Sequence, residues 1–154
     1  MGVVRTQLVE DPRFLGAVFQ EIENAYRDCD YQAAIDKLVP AIVTDHAGYF
    51  SNRTSPNGVA MAPLSPVTVA KKGHDRPLVE TDAMRQSLLQ SGHPEHLGGT
   101  SHRGLVFGTS DEKATIHQHG TKRIPARPFV GWTEERVDDA ANKMADHLVE
   151  ALKG

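Results

Sequence analysis

The chain has 154 residues, a length typical of one domain with one hydrophobic core. Hydrophobic residues make up 39% and charged residues 24% of a chain whose formal net charge of −3 disfavours a general nucleic-acid binder. No apolar run approaches the roughly 20 residues that span a bilayer, the N-terminus has no signal-peptide core, and the single cysteine, Cys29, has no partner for a disulfide or a zinc cluster. We therefore expect a single domain over 1–154 that is made inside the cell and has no membrane partner.

Two amphipathic helical patterns come first and form the predicted helical part, 1–49. Asp11 and Pro12 favour a helix start, because Asp caps free amides and Pro loses no hydrogen bond in the first turn. The first apolar stripe comprises Leu15, Val18, Phe19, Ile22, Ala25 and Tyr26, and the second comprises Tyr31, Ile35, Leu38, Ile42, His46 and Tyr49. The first helix should end near Arg27, and Pro40 should kink or split the second. We expect both stripes to pack in the core.

Residues 50–73 carry turn and cap signals. Pro-Asn-Gly at 56–58 predicts a turn. Ser65-Pro66 predicts the start of a short helix, which Gly73 should end after two lysines. A further helix should begin at Thr81 or Asp82.

The next segments predict a small antiparallel sheet. Residues 91–104 read as a Gly- and His-rich loop. Two short strand candidates, 105–110 and 114–120, are joined by 111–113, a connection of hairpin length.

An irregular arm, residues 121–132, precedes the last helix. Pro125 and Pro128 fix φ at two points, and Arg127 between them suits a bidentate contact with a carboxylate. Phe129 and Trp132 could either close the core or form an interface.

The last helix occupies 133–154. Thr133 should cap it, Glu134 and Glu135 suit its first turn, and an apolar stripe follows: Val137, Ala141, Met144, Leu148 and Leu152. Together the elements predict an α+β fold with N-terminal helices, a small antiparallel sheet and a C-terminal helix.

The histidines raise the question of a metal site. His117 and His119 would lie on one face of the predicted strand, but zinc needs at least a third protein ligand. The candidates for that ligand have no distinctive spacing: His93, His96, His102 and Asp111. H-E-x-x-H and G-x-S-x-G motifs are missing, Cys29 has no nearby His, and Gly98-Gly99 is too short for a phosphate loop. We therefore predict no metal, no cofactor and no catalytic residues.

Six segments in a fixed order resemble the phage virion morphogenesis family, which holds Mu-like tail proteins and tail-completion proteins of contractile-tailed phages. They are SPNG (55–58), PLSPVTVAKKG (63–73), RPLVETDAMRQSL (76–88), VFGT (106–109), ATIHQHG (114–120) and IPARPFVGW (124–132). The resemblance covers about 50–132. Asp82 stands where the pattern has Gly, so the turn there should become a helix cap. His119 stands where an aromatic residue is common.

The resemblance implies a structural protein without catalysis, located in the virion tail or neck after passing through the host cytoplasm. It implies a ring of copies, with a hexamer as one candidate size, and other tail or neck proteins as partners. The motif positions that it marks as structural or interface residues are Pro56, Gly58, Ser65, Lys72, Gly73, Thr81, His117, Gly120, Pro125, Arg127, Pro128 and Phe129. His117 would orient a turn through hydrogen bonds.

These observations lead to one hypothesis and leave two alternatives. The arm or the 50–73 segment should carry subunit contacts, so that Arg127→Ala and Phe129→Ala block assembly, while the Arg127→Ala monomer still folds. One alternative is a metal-dependent enzyme using His117 and His119. The other is a DNA-binding adaptor using two basic pairs, 71–72 and 122–123, which the net negative charge disfavours.

Overall fold

The structure is a computed structural model that describes residues 12–154, so the predicted cap at Asp11 lies outside the described part. It confirms the α+β fold, with helices before and after a two-stranded antiparallel sheet along the chain. The elements in chain order are α1 (Pro12–Asp28), α2 (Gln32–Asp36), α3 (Val39–Asn52), α4 (Pro66–Lys72), α5 (Ala83–Leu89), β1 (His96–Ser101), β2 (Gly104–Thr109), α6 (Glu112–His119) and α7 (Glu134–Lys153). Within residues 12–154, no helix is long and apolar enough to cross a membrane.

The first apolar stripe forms a helix but does not pack in the core, so that prediction was wrong. Phe19 is 67% exposed and Tyr26 is 59% exposed, and Leu15 and Ile22 are also exposed. The physical reason is the position of α1, whose main contact is with α7 and not with the central elements. The apolar face of α1 is therefore left largely exposed.

The second stripe is buried as predicted, and Pro40 splits its helix. Every residue from Tyr31 to Tyr49 in the stripe is at most 8% exposed. The chain leaves α2 at Asp36 and begins α3 at Val39, which puts Pro40 in the first turn of the new helix. Proline is tolerated there because the first amides have no partner within the helix.

The predicted turns of the 50–73 segment are confirmed. Gly58 has a φ of 79° and its N–H donates to the Ser55 carbonyl at 2.8 Å. Ser65 Oγ accepts from the Thr68 N–H at 3.2 Å and begins α4, which Gly73 ends with a φ of 75°. Both glycines take left-handed conformations that a side chain disfavours.

The sheet is built from a different pair of strands than predicted. Residues 114–120 form most of α6, and β2 pairs instead with β1, which lies inside the predicted loop 91–104. Asp111 accepts from the Lys113 N–H at 2.8 Å, a helix cap that outweighs the alternation of apolar and polar residues after it. In β1, Gly98 and Gly99 face Phe107 and Val106 across the sheet.

The helix predicted to begin at Thr81 or Asp82 is α5, but Asp82 does not cap it with its side chain. Asp82, which stands where the family pattern has Gly, takes a left-handed conformation with a φ of 63°. Its carboxylate accepts from Arg85 Nε at 2.6 Å. The predicted side-chain cap at Asp82 is therefore wrong, and its carboxylate forms an ion pair with Arg85.

The hydrophobic core lies between α3, α5, α6 and the arm. Leu88 and Phe129 are fully buried at its centre. The other members of this cluster are Tyr49, Phe50, Met61, Leu78, Met84 and Ala114. The core therefore depends on the arm as well as on the helices.

His46 is a buried polar residue beside this core. It is 1% exposed, and its ring lies 4.6 Å from that of Phe107. Nδ1 lies 2.7 Å from the Ile42 carbonyl and donates to it, while Nε2 accepts from the Gly131 N–H at 3.3 Å. These partners require a neutral ring, and burial lowers the pKa of His46 below its ordinary value.

The lowered pKa of His46 predicts a loss of stability in mild acid. Its contribution is complete above the unfolded-state pKa of about 6.5 and is lost as the pH falls toward the folded-state value. We expect the free energy of unfolding in urea to fall between about pH 7.5 and pH 5.5, with at most about 1.4 kcal/mol per pH unit from this group. His46→Leu should be less stable at the higher pH but should decline less. An equal decline in both proteins would contradict this assignment.

Candidate functional site

The arm, residues 121–132, is bound to α6 by one side chain that the sequence did not single out. Gln118 Oε1 accepts from the N–H groups of Phe129 at 3.0 Å and Val130 at 3.2 Å. Its Nε2 donates to the Val130 carbonyl at 2.9 Å. One amide side chain thus satisfies three backbone groups of an extended segment. The signal that could have identified Gln118 is the helix cap at Asp111. It predicts a helix over 114–120, and a helix is the element from which Gln118 contacts the arm.

His117 and Gly120 complete the attachment of the arm. The His117 carbonyl accepts from the Arg127 N–H at 2.7 Å. A Cβ on Gly120, whose φ is 72°, would lie 2.6 Å from the Ala126 nitrogen. The hydrogen bond that His117 makes to the arm uses its backbone oxygen, while its buried Nδ1 has no partner among the described residues.

Within residues 12–154, Arg127 binds carbonyl oxygens and contacts no carboxylate. Nε donates to the Ala62 carbonyl at 2.6 Å and Nη2 donates to the Pro63 carbonyl at 2.8 Å. The arm crosses the 50–73 segment here, where the extended backbone presents these free acceptors. Arg127 is only 6% exposed, and burial lowers its pKa. Arg127 therefore joins two segments of the same chain.

The two large aromatic residues of the arm have different positions. Phe129 is fully buried, with its ring 5.6 Å from that of Phe50. Trp132 is 47% exposed and meets the His46 ring edge-on at 5.9 Å. Phe129 therefore closes the core, whereas Trp132 retains an accessible surface.

A cavity of about 540 Å³ lies where the 50–73 segment, the start of α5, α6 and the arm meet; we call it the arm cavity. Its charged lining residues are Lys72, Glu80, Asp82, Asp111, Lys113, Arg123 and Arg127, together with His117. Burial, with added repulsion from Arg127 and Lys72, lowers the pKa of His117. The ring is therefore poorly suited to carry a charge of its own.

The structure brings several of the predicted motif positions together around this cavity. Ser65, Lys72, Thr81, His117, Pro125 and Arg127 line it. Lys72 Nζ also donates to the Val79 carbonyl at 3.4 Å. Pro56 lies against the arm, since its Cγ would be 2.9 Å from a Cβ on Gly131. Pro128 is half-buried, while Gly58 and Gly73 serve turns outside the cavity.

The predicted strand geometry of the histidine pair is wrong. His117 and His119 lie on α6, where residues two apart point to different sides of the helix. His119 is exposed, whereas His117 lines the arm cavity. In the described residues, no group of three or more His, Cys, Asp or Glu side chains is placed to hold a metal ion.

The attachment by Gln118 predicts a large effect of one substitution. Gln118→Ala would leave two amides and one carbonyl of the arm without these bonds, so we expect a loss of about 2–4 kcal/mol in unfolding free energy. Gln90→Ala, at an exposed position at the end of α5, should change it by less than about 0.5 kcal/mol. Urea unfolding of both variants measures the difference. Equal stabilities would contradict the role of Gln118.

Comparison with known proteins identifies a family. The model of the phage virion morphogenesis family matches residues 14–149. Among curated proteins and among solved structures, nothing matches the chain. The family match covers most of the chain, including the α1 and α7 regions that flank the motif segments. The protein therefore belongs to the phage virion morphogenesis family.

Proposed function

We propose that this protein is a non-enzymatic structural subunit that acts in tail completion or head–tail joining as part of an oligomeric ring. Its family supports a role in building the virion. The observation that carries the proposal further is the uncovered apolar face of α1. A structural subunit needs such surfaces, since it acts through its contacts with neighbours.

The exposed apolar residues of α1 form one continuous face and are not scattered over the surface. Four large hydrophobic residues at helical spacing are between 39% and 67% exposed: Leu15, Phe19, Ile22 and Tyr26. Contiguous exposed apolar patches in globular proteins often mark sites of protein contact. We infer that this face is covered in the virion by another subunit or by a neighbouring tail protein.

The arm itself is a poor place to test subunit contacts, because Arg127 and Phe129 are buried within one chain. Arg127→Ala would leave two carbonyls without their donor, and Phe129→Ala would open the core. Either substitution would destabilise the monomer, and a failure to assemble would then have two explanations. Exposed residues of α1 avoid this ambiguity.

The proposal predicts defective particles in a phage that lacks this protein. A stop codon in its gene should give heads and tails that are unjoined or incomplete in electron micrographs, with infectivity reduced by at least about a thousandfold. A plasmid copy should restore infectivity, and mass spectrometry should find the chain in purified virions. Normal, infectious particles without the protein would contradict the proposal.

A matched pair of variants tests the face of α1. Phe19→Asp should fail to restore infectivity, because it places a charge in the apolar contact. Asn24→Asp adds the same charge on an exposed polar position of α1 and should restore it. Both proteins should unfold at similar urea concentrations, since both positions are exposed. Full rescue by Phe19→Asp would show that the apolar face of α1 is not an assembly contact.

A further inference from the structure

We propose that the arm cavity receives the acidic outer face of α7 from a second copy of this chain, so that the subunits join head to tail. The inference rests on the proposed ring and names the two surfaces that would form its contact. It depends on the charge of the cavity, on the side chains that α7 exposes, and on the separation of the two surfaces in one chain.

The arm cavity has an excess of positive charge. Arg127 is 6% exposed and forms no ion pair with a carboxylate in residues 12–154; its partners are two neutral carbonyls. Lys113 and Arg123 are exposed, and their side chains have no ion pair in the described structure either. Buried guanidinium groups are normally paired, which makes a carboxylate the fitting ligand.

The carboxylates of the cavity do not cancel this charge. Asp82 is already paired with Arg85, at 2.6 Å from its Nε. Asp111 caps α6 by accepting from the Lys113 N–H. Asp111 keeps its charge while it caps the helix, so Asp111 and Glu80 leave two carboxylates without an ion pair in the described residues, against four cations in the lining. The net field therefore attracts an anionic group.

Apolar groups in the lining restrict the ligand further. Leu64, Ile124 and Pro125 line the same space as the cations. Ile124 is 36% exposed, and Val67 on the adjacent α4 is 80% exposed. A matching partner must therefore carry carboxylates beside apolar side chains.

The outer face of α7 has this combination. Exposed apolar residues recur at three- and four-residue steps along the helix: Val137, Ala141, Ala145, Val149 and Leu152. Glu134, Asp138 and Asp146 stand beside this stripe, and their carboxylates form no ion pair within the described part of the chain. By contrast, Asp139 is held by Arg136 and Lys143. The free carboxylates thus lie along the uncovered stripe.

The two surfaces belong to different parts of the subunit. The cavity is lined by residues between Pro63 and Arg127, and none of them belongs to α7. The inner side of α7 packs on α1 and α2. Each copy can therefore offer its α7 to one neighbour and its cavity to another. Such a contact between unlike surfaces closes into a ring when the rotation between subunits permits it.

Charge reversal on each surface tests this contact by sedimentation velocity at low salt. The cavity variant carries Lys113→Glu and Arg123→Glu, and the helix variant carries Asp138→Lys and Asp146→Lys. We expect each to raise the dissociation constant of the wild-type oligomer by at least about tenfold, while the four changes together recover most of the affinity. Lys37→Glu, at an exposed position between α2 and α3, is the control and should assemble like the wild type. Circular dichroism and urea unfolding should show that all variants fold.

Three results would overturn the proposal: a wild-type protein that stays monomeric, single-surface variants that assemble normally, or a four-change variant that fails to recover. The phage experiment separates this failure from that of the proposed function. If the protein is monomeric but still required for complete virions, only the proposed α7 contact is contradicted. If the phage assembles without the protein, the proposed structural role is contradicted as well.

Discussion

The attachment of the arm to α6 is the interaction on which the rest of the structure depends. An extended segment with two fixed prolines cannot satisfy its backbone through helix or sheet bonds, and Gln118 and the His117 carbonyl take over that role. Once the arm is held, Phe129 reaches the centre of the core and Arg127 reaches the carbonyls of the 50–73 segment. Two motif regions that are far apart in sequence are thereby joined.

This junction also creates the features to which we assign function. The arm, α6 and the 50–73 segment enclose the arm cavity, and the buried Arg127, which has no carboxylate partner within residues 12–154, adds a positive charge to it. On other parts of the subunit, α1 and α7 keep apolar and acidic faces uncovered. A subunit with an incomplete cavity and uncovered helices fits a protein that reaches its final environment only in an assembly.

The sequence predicts elements well where a local chemical signal marks their ends. Helix α4 begins at Ser65-Pro66 and ends at Gly73. Thr133 caps α7 by accepting from the Arg136 N–H, and Pro40 divides the second stripe into two helices. It fails where two local signals conflict, as at 114–120, and where a tertiary contact decides, as at 96–101. Residues 114–120 alternate like a strand, yet the Asp111 cap makes them a helix, and the glycine-rich 96–101 segment pairs with β2.

The same distinction applies to the site. The Pro-Arg-Pro pattern identified the arm, but the partners of Arg127 lie more than sixty residues away in the chain, where no local pattern points to them. Periodicity likewise reveals that α1 is amphipathic, but not whether the face is covered by its own chain or by a neighbour. Gln118 was overlooked because a strand would have placed it against the sheet and away from the arm.

A native mass spectrum of the purified protein would decide between a structural ring subunit and a metal enzyme, because it reports the number of subunits and any bound metal together. We expect a closed oligomer whose mass is an integer multiple of the chain mass, with no metal ion. A monomer that carries one metal ion per chain would contradict this expectation and would return attention to the histidines.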